Sequence, residues 1–242
     1  MKNVWIELWR WIFAIYMVVY HTLGHVYGVK TGGYIGVDVF FIISGYLLAA
    51  SHEKCTRQGG LSAGGYLRGR FARLWPMYLC AYLFTAVLRG ITDAAPWQKV
   101  LERIYRSFPE MFMLRIGTSI NGVTWFIAAM LIAGALLWAL LTWDEKRTIR
   151  REILPVCVVL IYGRFAEVAG RIHLTTSRSV FAVGHDGFWR AFAALSLGVI
   201  VATAVNGGRR SLSAAGRTVL TVLGNLGLAV VLFTSIKTYH SF

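Results

Sequence analysis

The chain has 242 residues, 57% of them hydrophobic and 15% charged, with a formal net charge of +14. So apolar a composition excludes an ordinary soluble domain. The basic residues fall between long apolar stretches and in no nucleic-acid-binding motif, so membrane lipid is the expected neighbour and nucleic acid is not an expected partner.

Seven apolar stretches, about 8–28, 33–51, 74–91, 122–143, 153–169, 188–205 and 218–236, approach the length that spans a bilayer as a helix. They predict an all-α, polytopic integral-membrane helix bundle, with residues 1–242 as one membrane-embedded domain. The first stretch carries Arg10 and His21 and is followed by no small-residue cleavage site, so it reads as a retained helix and not as a signal peptide.

The first two stretches hold charges at membrane depth, where ionisable groups are costly and mark candidate functional sites. Arg10 and His21 are eleven residues apart on the first. That is about three helical turns, so they share a face roughly 16 Å apart. Asp38 lies near the start of the second. Counted from the shared end, its depth differs from that of His21 by only about 3 Å. A histidine beside a carboxylate is a base with its tautomer held and its cation stabilised. The same pairing also serves as polar glue between two helices, and spacing alone does not separate the two.

Orientation follows from Lys and Arg in the loops. Residues 52–73, 144–152 and 206–217 carry twelve of them, on the side of the N-terminus. The opposite side has Lys30, five residues spread over 89–121, then Arg171 and Arg178. The N-terminus is therefore expected in the cytoplasm, with Arg10 at the inner edge and His21 and Asp38 toward the outer half.

Within 52–73, GGLSAGG at 59–65 lacks the Lys-Ser/Thr of a phosphate loop and reads as a hinge. Arg70 and Arg73 follow, three apart on one helix face. With Arg68 and Arg10 they form a candidate cationic cluster for a phosphate-bearing ligand. By charge alone an anchor to anionic lipid is the simpler reading. Trp75-Pro76 is expected to open the third span, where a first-turn proline is tolerated. Residues 93–116 mix apolar and charged residues and read as an interfacial helix, or as a lid over an outward cavity.

Trp125, at the start of the fourth span, reads most simply as an aromatic-belt anchor. Arg164 and Glu167 in the fifth neutralise each other at helical spacing, and Glu167 is also a candidate cavity-lining residue. His173, His185 and Asp186 fall in an outer loop. His25, four residues after His21, has no third ligand of the right kind, so no metal site is expected. The cysteines Cys55, Cys80 and Cys157 are solitary. Arg190 is expected to snorkel to the outer boundary. Gly and Ala in the last two spans suit close helix packing.

Three motifs in order carry a resemblance: Arg10 and His21 on the first helix, GYIGVDVFFIISGYLLA at 33–49, and RFAR at 70–73 before Trp75-Pro76. Together they resemble the bacterial acyltransferase 3 family, integral-membrane enzymes that O-acylate surface sugars. The resemblance covers roughly the first 80 residues. It implies transfer of an acyl group, foremost acetyl, from cytosolic acyl-CoA (acetyl-CoA) to a hydroxyl of an envelope polysaccharide or glycolipid at a bacterial inner membrane. It implies a donor role for Arg70, Arg73 and Arg10, His21 as general base with Asp38 orienting it, and an acceptor role for Trp125. Family members usually have about ten spans, so a chain of about seven is expected to be shortened. Two other readings of the intramembrane charges stay open: a transporter or flippase of a glycan precursor, and a non-catalytic membrane partner.

Overall fold

A computed structural model describes residues 4–28, 32–94, 96–116, 124–144, 147–169, 180–181, 185–208 and 213–237. The regular elements among them are all helical. They are α1 (Val4–Tyr27), α2 (Ile35–Arg57), α3 (Ala63–Thr92), α4 (Trp97–Arg106), α5 (Phe108–Met111), α6 (Trp125–Trp143), α7 (Leu154–Ala169), α8 (Asp186–Gly208) and α9 (Ala214–Lys237). A π-helical turn, Ile149–Ile153, leads into α7. Each of the seven apolar stretches is a helix, because a chain in lipid must satisfy its backbone hydrogen bonds internally. α2, α3, α6, α8 and α9 are long and apolar enough to cross a membrane. α1 is diluted by Glu7, Arg10, His21 and its Trp and Tyr residues, and α7 has only 16 residues. The protein is a polytopic membrane helix bundle.

α8 is the centre, packing on α2, α6 and α7. Its closest approach is to α2, and glycine on both sides permits it. A Cβ on Gly45 would strike the Leu195 carbonyl oxygen, and one on Gly198 would strike that of Ile42. Small residues are what let helices come this close in lipid. The glycines of α9 serve no such purpose: a Cβ on Gly224 or Gly227 would meet nothing within 4 Å. α9 touches α1 through two polar contacts, Trp9 Nε1 donating to Asn225 Oδ1 at 2.6 Å and Ser235 Oγ donating to Tyr16 Oη at 3.1 Å.

Two boundaries differ from expectation. α3 begins at Ala63 and not near residue 74. Ser62 caps it, its Oγ accepting from Gly65 N at 3.1 Å. The hinge shrinks to a turn in which Gly59 and Gly60 have φ of +99° and +82°, a conformation that favours glycine. Pro76 therefore stands inside α3, not in its first turn, and leaves the Ala72 carbonyl without its helical donor. Residues 97–111 carry two short helices, α4 and α5, most of whose residues are exposed. They fold back along α3: Val100 packs on Gly90, Ser107 on Tyr82, and the Met111 carbonyl accepts from Trp75 Nε1 at 3.0 Å.

Candidate functional site

Asp38 sits in the first turn of α2 and Arg190 in the second turn of α8. Arg190 Nε donates to Asp38 Oδ1 at 2.8 Å and Nη2 to Oδ2 at 2.7 Å. Nη2 also donates to the Tyr34 carbonyl at 3.0 Å. The guanidinium is almost fully enclosed, with 2% of the side chain exposed, and Asp38 keeps 23%. A forked Arg–carboxylate pair is the arrangement that makes two charges tolerable in an apolar interior. Arg190 is thus an internal partner of Asp38 and does not snorkel. Trp125, at the first turn of α6, lies with its ring centroid 6.0 Å from the guanidinium carbon and 6.4 Å from the Phe41 ring. It closes over the pair, facing inward where an interfacial anchor would face lipid.

The α1–α2 register places His21. A Cβ on Gly33 would strike Tyr20, and one on Gly36 would come within 2.9 Å of Met17. In this antiparallel register His21 stands opposite Gly32 and Asp38 opposite Ile15. The two are six residues apart in depth, about 9 Å at helical rise. The count of about 3 Å from the shared end fails because α1 runs on to Tyr27, past the start of α2. His21 contacts Tyr20 edge-on, ring centroids 5.0 Å apart. Asp38 has both oxygens on Arg190, so the carboxylate expected to orient His21 is engaged elsewhere. Among the described residues at this end of the bundle, His21 and His185 are of the type suited to taking a proton near neutrality, and His185 Nδ1 already accepts from the Gly187 amide.

Next to Trp125 a second polar group is buried. Glu110 is fully enclosed, and Thr124 Oγ1 donates to its Oε1 at 3.5 Å. Nearby, the Tyr82 and Ser107 hydroxyls are 2.6 Å apart. The sequence pattern did not single out Glu110, and it placed Arg190 at the outer boundary. The only signal for either was a charge inside an apolar context. Asp186 opens α8, with Oδ1 accepting from Val180 N at 2.8 Å. His185 Nδ1 accepts from Gly187 N at 3.1 Å. His173 and the His25 side chain lie outside the described residues.

The remaining candidates are dispersed. Arg10 is exposed and pairs with Glu7 at 3.1 Å. Arg70 lies over the Tyr66 ring, 5.5 Å from its centroid, and Arg73 is exposed on the same helix. Arg10 belongs to α1, which packs on α2, and the other two to α3, which packs on α6. Glu167 pairs with Arg164 at 2.9 Å, as the spacing predicts, and its side chain is 71% exposed.

At the opposite end of α2 an ionic network fixes the bundle. Asp144 Oδ1 and Oδ2 accept from the Ile149 and Arg150 amides, capping the π-helical turn. Arg150 Nε reaches Asp144 at 3.1 Å and Nη1 reaches Glu53 at 3.4 Å. Asn206 of α8 donates to the other Glu53 oxygen at 3.3 Å.

A membrane bundle with a buried charged pair behind His21 defines the class as a polytopic membrane protein with a polar intramembrane site. The profile of the acyltransferase 3 family, described as an acyltransferase domain, matches residues 3–242, and the chain belongs to that family. A curated relative, "Protein 2 in picA locus" of Rhizobium radiobacter, is 34% identical over 77 residues, covering 32% of this chain and 40% of the relative. The chain thus matches well under half of that relative's length. No solved structure matches.

Proposed function

We propose that the protein transfers an acyl group, foremost acetyl, from a cytosolic acyl-CoA to a sugar hydroxyl of an envelope polysaccharide or glycolipid, in a bacterial inner membrane. The observation that carries this reading is the polarity of one helix. α2 bears Asp38 near one end and His52 and Glu53 near the other, about 21 Å apart. A soluble donor and an exported acceptor must meet across such a distance.

In this reading His21 takes the proton of the acceptor hydroxyl, whose oxygen attacks the thioester carbonyl. The C–S bond breaks, and the proton passes to the departing thiolate. Asp38 and Arg190 do not exchange protons. They hold the α2 and α8 ends together beneath Trp125, whose face suits a sugar ring. Arg70 and Arg73, with Arg10, supply positive charge to the donor's phosphates.

The test is mass spectrometry of surface glycans from a strain lacking the gene, complemented with wild type or His21→Ala. An acyl substituent restored by wild type and not by the mutant supports the reading. Identical glycans in the deleted and complemented strains would overturn it.

A further inference from the structure

Where α2 ends, a cavity of about 350 Å³ opens between the α2–α3 turn, the end of α6 and the π-helical turn. That volume is at the small end of the range for small-molecule sites. Arg57, Arg147 and Arg150 line it, with His52 and Trp138 in its wall. Arg150 is neutralised by Asp144 and Glu53. Arg57 and Arg147 are different: among the described residues neither guanidinium has a hydrogen-bonding or acidic partner. Arg147 also holds φ at +58°, a left-handed backbone that costs a non-glycine residue about 1 kcal/mol or more and concentrates at ligand clamps. The facing wall is the turn where Gly59 and Gly60 have positive φ. One strained residue, Arg147, and a glycine turn therefore border the cavity, and two arginines with no partner among the described residues line it.

The cavity is also joined to α3. The Tyr66 ring stacks on Trp138 at 4.5 Å with 18° between planes, and Arg70 caps Tyr66. Trp138 is fixed by donating to the Leu61 carbonyl at 2.7 Å, and His52 meets its edge at 4.9 Å. A planar aromatic ladder thus runs from Arg70 to the cavity wall.

We infer that this cavity binds a phosphate ester through Arg57 and Arg147, with a nucleotide-type ligand entering from the side of the basic loops. Forked donors match phosphate oxygens, and among the described residues neither arginine is held by a carboxylate. The assignment rests on the proposed function in that the nucleotide end of the acyl-CoA donor is the ligand of this chemistry the reaction supplies.

Binding is measured by calorimetry on the full chain in neutral-lipid nanodiscs, with coenzyme A, adenosine 3′,5′-bisphosphate and pantetheine as probes. Wild type is compared with the double variant Arg57→Gln, Arg147→Gln, and with Arg151→Gln, which lies outside the cavity. Thermal unfolding of each variant checks folding. The inference expects the double variant to lose at least about tenfold in affinity for the two phosphate-bearing probes, with pantetheine and the Arg151→Gln control unchanged. Equal coenzyme A affinity in wild type and double variant overturns the cavity assignment and leaves the acyltransferase reading standing. An Arg57- and Arg147-dependent signal seen only with anionic-lipid nanodiscs overturns the nucleotide assignment in favour of a lipid headgroup. Coenzyme A that binds no form of the protein also overturns it, and removes the donor from the proposed function.

Discussion

Arg190 and Asp38 meet through two parallel hydrogen bonds of 2.8 and 2.7 Å although 152 residues separate them in the chain. Removing one partner leaves a buried charge uncompensated. Asp38→Asn and Arg190→Gln should each destabilise the bundle by about 3–5 kcal/mol. A double variant, Asp38→Leu with Arg190→Met, should recover much of that, because it removes both charges and leaves apolar side chains in their place. Thermal unfolding of detergent-purified protein reads the difference. Additive losses in the double variant would mean that the pair does not act as a unit.

This pair shows what was and was not legible in the sequence. The seven helices were legible because apolar length is a strong signal and lipid leaves the backbone few alternatives. Asp38 was legible as a costly intramembrane charge. Its partner was not, because an arginine near the end of a span reads equally well as a snorkelling residue, and register between distant helices is invisible in one sequence. The start of α3 was missed for a related reason. Glycine- and arginine-rich residues 59–73 look like a loop, yet Ser62 caps them and Tyr66 stacks on Trp138. The His21–Asp38 depth count failed on the length of α1, where His21 to Tyr27 continue past the first turn of α2.

The glycines separate packing from propensity. Gly45→Ala and Gly198→Ala each place a methyl against backbone carbonyl oxygen of the facing helix, so α2 and α8 must move apart. Gly227→Ala faces open space and should stabilise α9 by up to about 1 kcal/mol through helix propensity. The yield of monodisperse protein after extraction should fall for the first two and hold for the third. Normal yield of Gly45→Ala would mean that the α2–α8 contact is looser than described.

His21→Ala should lower acyl transfer by about 10² to 10⁴-fold, the range attributable to one general base. Protein level and unfolding temperature should stay near wild type, since His21 is only half-buried and lies outside the buried core. Transfer is followed as acylated glycan per mole of protein. Full activity in the mutant would remove His21 from the reaction and turn attention to Glu110, the fully enclosed carboxylate beside Thr124.

Orientation decides which end meets the donor. The ionic network of Glu53, Asp144 and Arg150 lies at the same end as the basic residues flanking the α2–α3 turn, whereas Asp38, Arg190 and Trp125 lie at the other. In the proposed inner membrane, the excess of Lys and Arg predicts that the first end faces the cytoplasm. A single cysteine at exposed Arg151, in a background lacking Cys55, Cys80 and Cys157, should resist a membrane-impermeant thiol reagent in intact cells. It should react once the membrane is opened. A cysteine at exposed Gln98 of α4, on the opposite side, should react in both. Labelling of the Arg151 position in intact cells would invert the bundle, placing the arginine-lined cavity outside and His21 toward the cytoplasm, and the proposed donor could then no longer reach that cavity from the cell interior.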